Sequence, residues 1–351
     1  MSFAVKRRET ARVRGYTMVE LLVSITIGLV ILAALVTLFA GNSRERAEVE
    51  RANQQTENGR YALQLLSEDV RDAGYLGSFN PGTVAGPNPQ LVIPTALPNA
   101  CATDVATLNS AMTLAVQGYD DGANAPGCLT DVRAGTDILV VRRASTCAVG
   151  TAGCDPLVAG DVYLQAAGCA AQFSAGTYYA LDFNLGNLNL LQKDCATPAL
   201  LYLYRTHIYF IANDDKPGDG VPTLKRAELG AGAFNIVPLV EGIENLQLEY
   251  GLDTNVPTTG TPAVYTADPN TYNACVPATC VAYWRNTVAL QIDILSRNQT
   301  PTQGYTDTKT YTLGLTAAGG PNILGPFNDS YKRHTYSTVA RLNNPAGRNS
   351  P

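Results

Sequence analysis

The chain of 351 residues is 46% hydrophobic and only 16% charged, with 31 Gly and 20 Pro, which suits one strand- and loop-rich globular body behind an anchor. Its formal net charge of -5 argues against a broad phosphate-binding surface, so nucleic acid is not an expected partner. With two histidines, His207 and His334, and no G-x-S-x-G, H-E-x-x-H or Gly-rich phosphate loop, no hydrolase or nucleotide site assembles, and no enzyme or cofactor is expected.

Residues 1 to 15 hold Lys6, Arg7, Arg8, Arg12 and Arg14 against the single acid Glu9. Leu21 to Ala40 follows without a charged group, and no charge returns until Arg44. As a helix rising about 1.5 Å per residue, that run spans a hydrocarbon core of roughly 30 Å. The basic leader keeps the start cytoplasmic and puts the bulk of the chain outside. No A-x-A closes the apolar run as it would in a secretory signal; the small residue, Gly15, lies on the charged side. Glu20 places an acid at the mouth of the span, where ionisable groups are costly and need a partner.

Gly15-Tyr16-Thr17-Met18-Val19-Glu20-Leu21 resembles the class III signal of type IV pilins and pseudopilins, typically G-F-T-L-I-E-L. The resemblance implies cleavage after Gly15 by the membrane prepilin peptidase and N-methylation of the new terminus, Tyr16. It also implies that Glu20 pairs with a neighbouring subunit's terminal amine, fixing the register of subunits. Tyr for Phe and Met-Val for Leu-Ile are apolar or aromatic exchanges that leave the pattern intact.

Ser43 to Gln55 mixes Arg44, Glu45, Arg46, Glu48, Glu50 and Arg51, which reads as a solvated extension of the same helix. Ala62, Leu65, Leu66, Val70 and Ala73 then recur at helical spacing, an amphipathic half expected to lie on a sheet and to stop at Gly74. Gly28, Gly41 and Gly59 are points where the helix could bend. Asn58-Gly59-Arg60-Tyr61-Ala62 and Asp69-Val70-Arg71-Asp72-Ala73-Gly74-Tyr75 resemble the E-N-G-R-[FY]-A and D-[LIV]-R-x-A-G-[FY] patterns of the PilW subfamily of minor pilins.

From Ser78 to about Leu200 the chain is rich in Pro, Gly, Ala and Asn and reads as a cysteine-stapled insertion. Its strand candidates are Gln90 to Ile93, Asp137 to Arg143 and Asp161 to Gln165. All eight cysteines follow the span, which suits disulfides in an oxidising compartment. Eight cysteines admit 105 pairings, and the sequence does not choose among them. Sequential neighbours are the pairing adopted: Cys101 with Cys128, Cys147 with Cys154, Cys169 with Cys195, and Cys275 with Cys280 around a Val-Pro-Ala-Thr turn. Without a C-x-x-C, no metal site is expected of them.

Beyond Ala199, Leu201 to Ala212, Ile243 to Tyr250 and Val288 to Ile294 alternate as strands, and Thr308 to Leu313 and His334 to Leu342 are expected to complete an antiparallel sheet. Gly242 to Gly251, Val288 to Arg297 and Arg333 to Asn344 resemble the paired and closing strands of PilW-type pilins. Asn213 to Gly220 is dense in oxygen ligands around Asp214 and Asp219; lacking the Glu at the twelfth position of an EF-hand loop, it reads as a polar turn rather than a cation site. Arg142, Arg143, Lys332 and Arg333 read as solvated charge, and the 18 tyrosines and Trp284 as sheet packing rather than a contact surface.

The resemblance implies an α+β, type IV pilin-like fold: a long N-terminal hydrophobic helix packed by its C-terminal half on an antiparallel sheet, with a large cysteine-rich loop insertion. The expected divisions are a cleaved leader at 1–15, a membrane or filament-core helix at 16–43, an amphipathic half at 44–74, the insertion at 75–200 and the sheet body at 201–351. The implied function is a minor pilin in the complex that primes type IV pilus assembly and sits at the tip, supporting twitching motility and adhesion. Its implied partners are the other minor pilins, the major pilin, a tip adhesin, the prepilin peptidase, the inner-membrane assembly platform and, before assembly, lipid. The implied location is the inner membrane with the body in the periplasm, then the pilus tip. A type II secretion J-type minor pseudopilin shares the signal, helix and sheet and is the alternative; a membrane-anchored envelope enzyme or binding module is the third reading.

Overall fold

The computed structural model describes residues 15–82, 91–122 and 124–350. Its contacts divide the chain into two compact units, Met1–Ala52 and Asn53–Pro351. Helix α1 (Met18–Asp72) contributes to both and is helical through Gly28, Gly41 and Gly59. The basic residues of the leader lie outside the described residues.

In the first unit, Leu21 to Ala40 is exposed along its whole length. It is the one stretch among the described residues long and apolar enough to cross a membrane.

In the second unit, α1 buries Gly59, Ala62, Leu66 and Val70, a helical repeat of three and four residues that leaves Arg60, Glu68 and Arg71 to the outside. It ends before Gly74, whose φ of +72° and N–H donation to the Arg142 carbonyl (2.8 Å) turn the chain onto the body.

The strands that follow form two main sheets rather than the single sheet expected. In chain order these elements are α2 (Val105–Ala111), β1 (Val116–Tyr119), β2 (Ile138–Ala144), β3 (Tyr163–Ala166), α3 (Ala170–Ser174), β4 (Tyr179–Asp182), β5 (Leu201–Ala212), β6 (Thr223–Leu229) and β7 (Phe234–Glu241). All seven strands form one antiparallel sheet in the order β1-β2-β5-β3-β4, with β6 bridging β5 to β7. The long β5 is its spine: β3 pairs with residues 201–203, β2 with 204–209 and β6 with 207–212. The short strands of the cysteine-rich segment thus find their partners in the later body.

The second sheet comprises β8 (Ile243–Leu252), β9 (Val264–Thr266), β10 (Thr287–Arg297) and β13 (Arg333–Arg341), in the order β13-β10-β8-β9. Helix α4 (Pro277–Arg285) precedes β10 and α5 (Asn343–Asn349) follows β13. Only Gly242 separates β7 from β8. Its φ of +78° is open to glycine and strained for other residues, and a Cβ there would stand 2.9 Å from the Arg297 carbonyl oxygen. That residue lets the chain leave one sheet and enter the next without a loop. A third, two-stranded sheet pairs β11 (Tyr311–Leu315) with β12 (Pro321–Leu324), so the strand expected at Thr308 to Leu313 belongs to a hairpin and not to the main sheet. Its Leu313 and Tyr311 pack on Leu295 of β10, covering that sheet's outer face. Leu91 to Ile93 is not a strand, and Gln90 lies outside the described residues.

The largest core joins both sheets to the helix. Ala62, Leu66 and Val70 of α1 meet Leu139, Tyr209 and Ile211 of the first sheet and Leu246, Leu248, Leu290 and Ile292 of the second. Trp284 is not a sheet residue: it lies on α4, 1% exposed, with its ring 4.6 Å from that of Tyr250. The four disulfides link neighbours in chain order, Cys101–Cys128, Cys147–Cys154, Cys169–Cys195 and Cys275–Cys280.

Candidate functional site: the processing segment and the seat of the helix

Gly15 and Tyr16 precede the first turn of α1 and are exposed, Tyr16 by 89%. Thr17 is the residue before the helix, and its side chain and that of Glu20 bond reciprocally. The Thr17 N–H donates to Glu20 Oε2 at 2.9 Å, and the Glu20 N–H donates to Thr17 Oγ1 at 3.3 Å. The Thr17 hydroxyl adds a bond to the same carboxylate at 3.0 Å. This T-x-x-E arrangement is a capping box that satisfies two amides the helix leaves unpaired. The acid at the mouth of the span therefore has an intrachain partner in the lone subunit, a role the motif reading missed although its local signal was present.

The second half of α1 is seated by residues of the two helix motifs. Gln55, just ahead of them, donates its amide to the carbonyls of Ser296 (2.8 Å) and Lys332 (3.0 Å). Asn58 donates to the Glu241 carbonyl at 3.0 Å. At Gly59 the helix passes so close to the Tyr336 ring that a Cβ would lie 2.3 Å from its nearest carbon. At the far end Asn344 and Arg348 donate to the carbonyls of Ala73 (3.1 Å) and Gly74 (3.3 Å), where a helix leaves acceptors unpaired and favours positive charge.

Asp69 is the buried centre of this seat. Its carboxylate accepts from Arg143 Nε at 2.6 Å and Tyr209 Oη at 2.8 Å, and lies 2.7 Å from His207 Nδ1, which an anionic neighbour favours as the protonated nitrogen. Burial alone would raise the Asp69 pKa, but the charge and hydrogen bonds of His207 and Arg143 hold it well below the ordinary carboxylate range. Burial and the neighbouring Asp69 push the Tyr209 hydroxyl up. One carboxylate thus pins α1 to both β2 and β5.

A second buried cluster closes the sheet of β8, β10 and β13. Arg333 pairs with Glu244, Asp307 (2.9 Å) and Asp329 (2.6 Å), and Glu244 also receives Arg133 at 3.3 Å. Its guanidinium stacks 3.8 Å from the Phe327 ring centre. The reading of Arg142, Arg143 and Arg333 as solvated charge is therefore wrong. Arg142 is 2% exposed and donates to Gln117 at 2.8 Å, Arg143 meets a carboxylate 74 residues away, and Arg333 meets Glu244 89 residues away as well as Asp307 and Asp329.

The Asn213 to Gly220 stretch connects β5 to β6, and its carboxylates are taken up by its own backbone. Asp214 accepts from the amides of Gly218 (2.8 Å) and Gly220 (2.9 Å), and Asp219 from those of Asp215, Lys216 and Val221. These bonds are those of a polar turn.

The family model described as Type IV Pilus-assembly protein W matches residues 208–344, and that of the prokaryotic N-terminal methylation motif matches residues 10–36. The first match runs from within β5 into α5; the second covers Gly15, the capping box and much of the apolar run. No curated protein sequence matches the chain. Among solved structures, the type IV-like pilin TTHA1219 from Thermus thermophilus is 12% identical, with a TM-score of 0.32, over 84% of this chain and 96% of that one. The two family matches fall on the membrane-length helix and on the strands that seat its second half: residues 208–344 are similar to the PilW family of type IV pilus-assembly proteins, and residues 10–36 to the prokaryotic N-terminal methylation motif.

Proposed function

We propose that this chain is a minor pilin, stored in the inner membrane through Leu21 to Ala40 and then built into a type IV pilus, with a structural rather than catalytic role. The observation that carries the reading is the pairing of an exposed Gly15-Tyr16 junction with a membrane-length apolar stretch, Leu21 to Ala40, that is exposed throughout among the described residues. Twenty exposed apolar or uncharged residues need either lipid or other helices around them, and a fibre core offers the second without a new surface. On this reading the prepilin peptidase cuts after Gly15, Tyr16 becomes the methylated terminus, and the body lies in the periplasm until assembly. The chain joins other minor pilins in the complex that primes the fibre, near the tip and its adhesin, and through the pilus supports twitching motility and adhesion. The PilW match supports this over a secretion pseudopilin.

Glu20 is the residue that exchanges partners. In the lone chain it caps its own helix through Thr17; in the fibre its charge meets the terminal amine of a neighbour, where a buried ion pair sets the axial register. Glu20→Gln keeps an acceptor for the capping box and loses the charge, whereas Glu20→Ala loses both. Both variants are expected to insert in the membrane, and both are expected to be missing from sheared pili. Incorporation of Glu20→Gln at the wild-type level would refute the charge-register role. Deletion of the gene is expected to abolish twitching, whereas loss of exoprotein release with normal pili would assign the chain to secretion.

A further inference from the structure

Arg142 carries a positive charge into the body and meets no carboxylate there. It lies on β2 at 2% exposure, and no ion pair among the described residues includes it. Its Nη2 donates to Gln117 Oε1 at 2.8 Å and its Nη1 to the Leu114 carbonyl at 3.4 Å, both neutral acceptors. Its Nε has no partner among the described residues. A guanidinium keeps its proton in a protein, and a buried charge is costly unless something answers it. The next residue, Arg143, shows the ordinary solution, an ion pair with Asp69.

Two more buried donors stand on the same face of the sheet. In the ladder between β2 and β5, Arg142 is the direct partner of Thr206, and Ala144 that of Tyr204. Side chains alternate along a strand, so Arg142, Thr206 and Tyr204 share the face turned away from α1, while Arg143 and His207 face Asp69. Direct cross-strand neighbours have their Cβ atoms about 5 Å apart and diagonal ones about 7–8 Å, within reach of long side chains. Thr206 is 0% and Tyr204 1% exposed, and neither hydroxyl has a hydrogen-bond partner among the described residues. Burial raises the Tyr204 hydroxyl and the Arg142 charge opposes that rise, in keeping with the adjacency the register gives. Leu76, Leu108 and Met112 pack in one cluster with Tyr204, an apolar cover over this part of the sheet.

We infer that Arg142, Thr206 and Tyr204 hold one chloride ion between the sheet and its apolar cover, the ion accepting from the Arg142 Nε–H and from both hydroxyls. The group that answers these residues has to be an acceptor, because a donor is what each of them has left to offer. It has to be small and monovalent, because it is enclosed and meets a single positive charge. A water molecule accepts such bonds but leaves the charge unanswered. The ion would tie β2 to β5 on the side opposite Asp69. The site does not depend on the proposed place of the chain in a pilus.

The test is urea unfolding of the full chain in detergent micelles, followed through Trp284. Sodium chloride is varied from about 1 to about 300 mM while sodium gluconate holds the ionic strength constant. An ion bound by the folded chain alone multiplies the folding constant by 1 + [Cl⁻]/Kd, so its logarithm should climb with log[Cl⁻] towards a slope of about one. Arg142→Met removes the charge at similar length and should flatten that dependence. Tyr204→Phe and Thr206→Val keep the charge and delete one donor each. Both should raise the apparent Kd at least about threefold, which decides the matter even where Arg142→Met does not fold. Lys216→Gln, at an exposed cation, should leave the slope unchanged. A slope near zero in the wild type, the result of bound water alone, would overturn the site. So would a chloride dependence retained in full by Arg142→Met or by both hydroxyl variants, the mark of an adventitious surface ion.

Discussion

Removing the carboxylate of Asp69 is the most demanding trial of the seat described for α1. Asp69→Ala leaves three groups without their acceptor at once: Arg143 Nε, His207 Nδ1 and the Tyr209 hydroxyl. The side chains of Arg143 and His207 are 16% and 4% exposed, so water replaces little of what is lost. Each orphaned partner costs roughly 1–3 kcal/mol, and these costs are not additive within one network. Breaking a buried ion pair by deleting one member costs about 3–5 kcal/mol, the size expected here and a large fraction of a typical domain's roughly 5–15 kcal/mol. Urea unfolding of the full chain in micelles, followed through the single buried Trp284, measures it. The pH dependence gives an independent arm. Because the folded Asp69 carboxyl sits below its unfolded value, its stabilisation is present above about pH 4 and is lost as pH falls through the folded value. Wild-type stability should therefore drop on acidification below pH 4 more steeply than that of the variant. A loss under about 1 kcal/mol at neutral pH, or parallel acid profiles, would refute the view that this carboxylate holds the helix to the sheet.

Gly59→Ala should destabilise by about 1–3 kcal/mol although Ala favours helix by about 1 kcal/mol, because its Cβ meets the Tyr336 ring. Tyr336→Ala in the same chain should recover some of that loss, and a strictly additive double-mutant cycle would count against the contact. The raised carboxyl of Asp120 acts in the opposite sense to Asp69. It binds its proton more tightly folded than unfolded, so stability should rise as pH falls from about 7 to about 4, and Asp120→Asn should flatten that region of the melting profile. Replacing Cys101 and Cys128 together by Ser opens a loop of sequence separation 27 and should cost about 2–4 kcal/mol in the unfolding midpoint, with Trp284 emission of the folded chain unchanged.

What can be read from the sequence is what local chemistry decides. The alternation of Leu201 to Ala212 marks the spine strand to the residue, and the repeat through Ala62, Leu66 and Val70 marks the buried face of the helix. Charge at Arg143 and Arg333 reads wrongly as solvated because burial is decided by partners far along the chain, Asp69 for the first and Glu244 and Asp307 for the second, whereas the nearby Asp329 by itself fits an ordinary surface pair. The division into two sheets is illegible for a related reason: β7 and β8 are adjacent in sequence, and a single left-handed glycine sends them into different ladders. The strand Pro321–Leu324 opens on proline in a Gly-rich stretch and takes its conformation from β11. The capping box of Thr17 and Glu20 is legible in its T-x-x-E spacing, but the same acid also fits an intermolecular motif that masks it.

The distribution of the disulfides bears on how the molecule carries load. Each closes a short stretch, with separations of 27, 7, 26 and 5 residues, and none includes a residue of α1. A pull delivered along α1 therefore meets no disulfide between its second half and the sheets; until the backbone beyond Gly74 is loaded, it is borne by Gln55, Asn58, the Tyr336 contact, Asp69 and the apolar packing of Ala62, Leu66 and Val70. The seat is the mechanical fuse of the body: under tension its hydrogen-bonded rungs would open in succession and could re-engage on release. The cystine loops would stay closed throughout, so the body would keep its local shape while the helix yields.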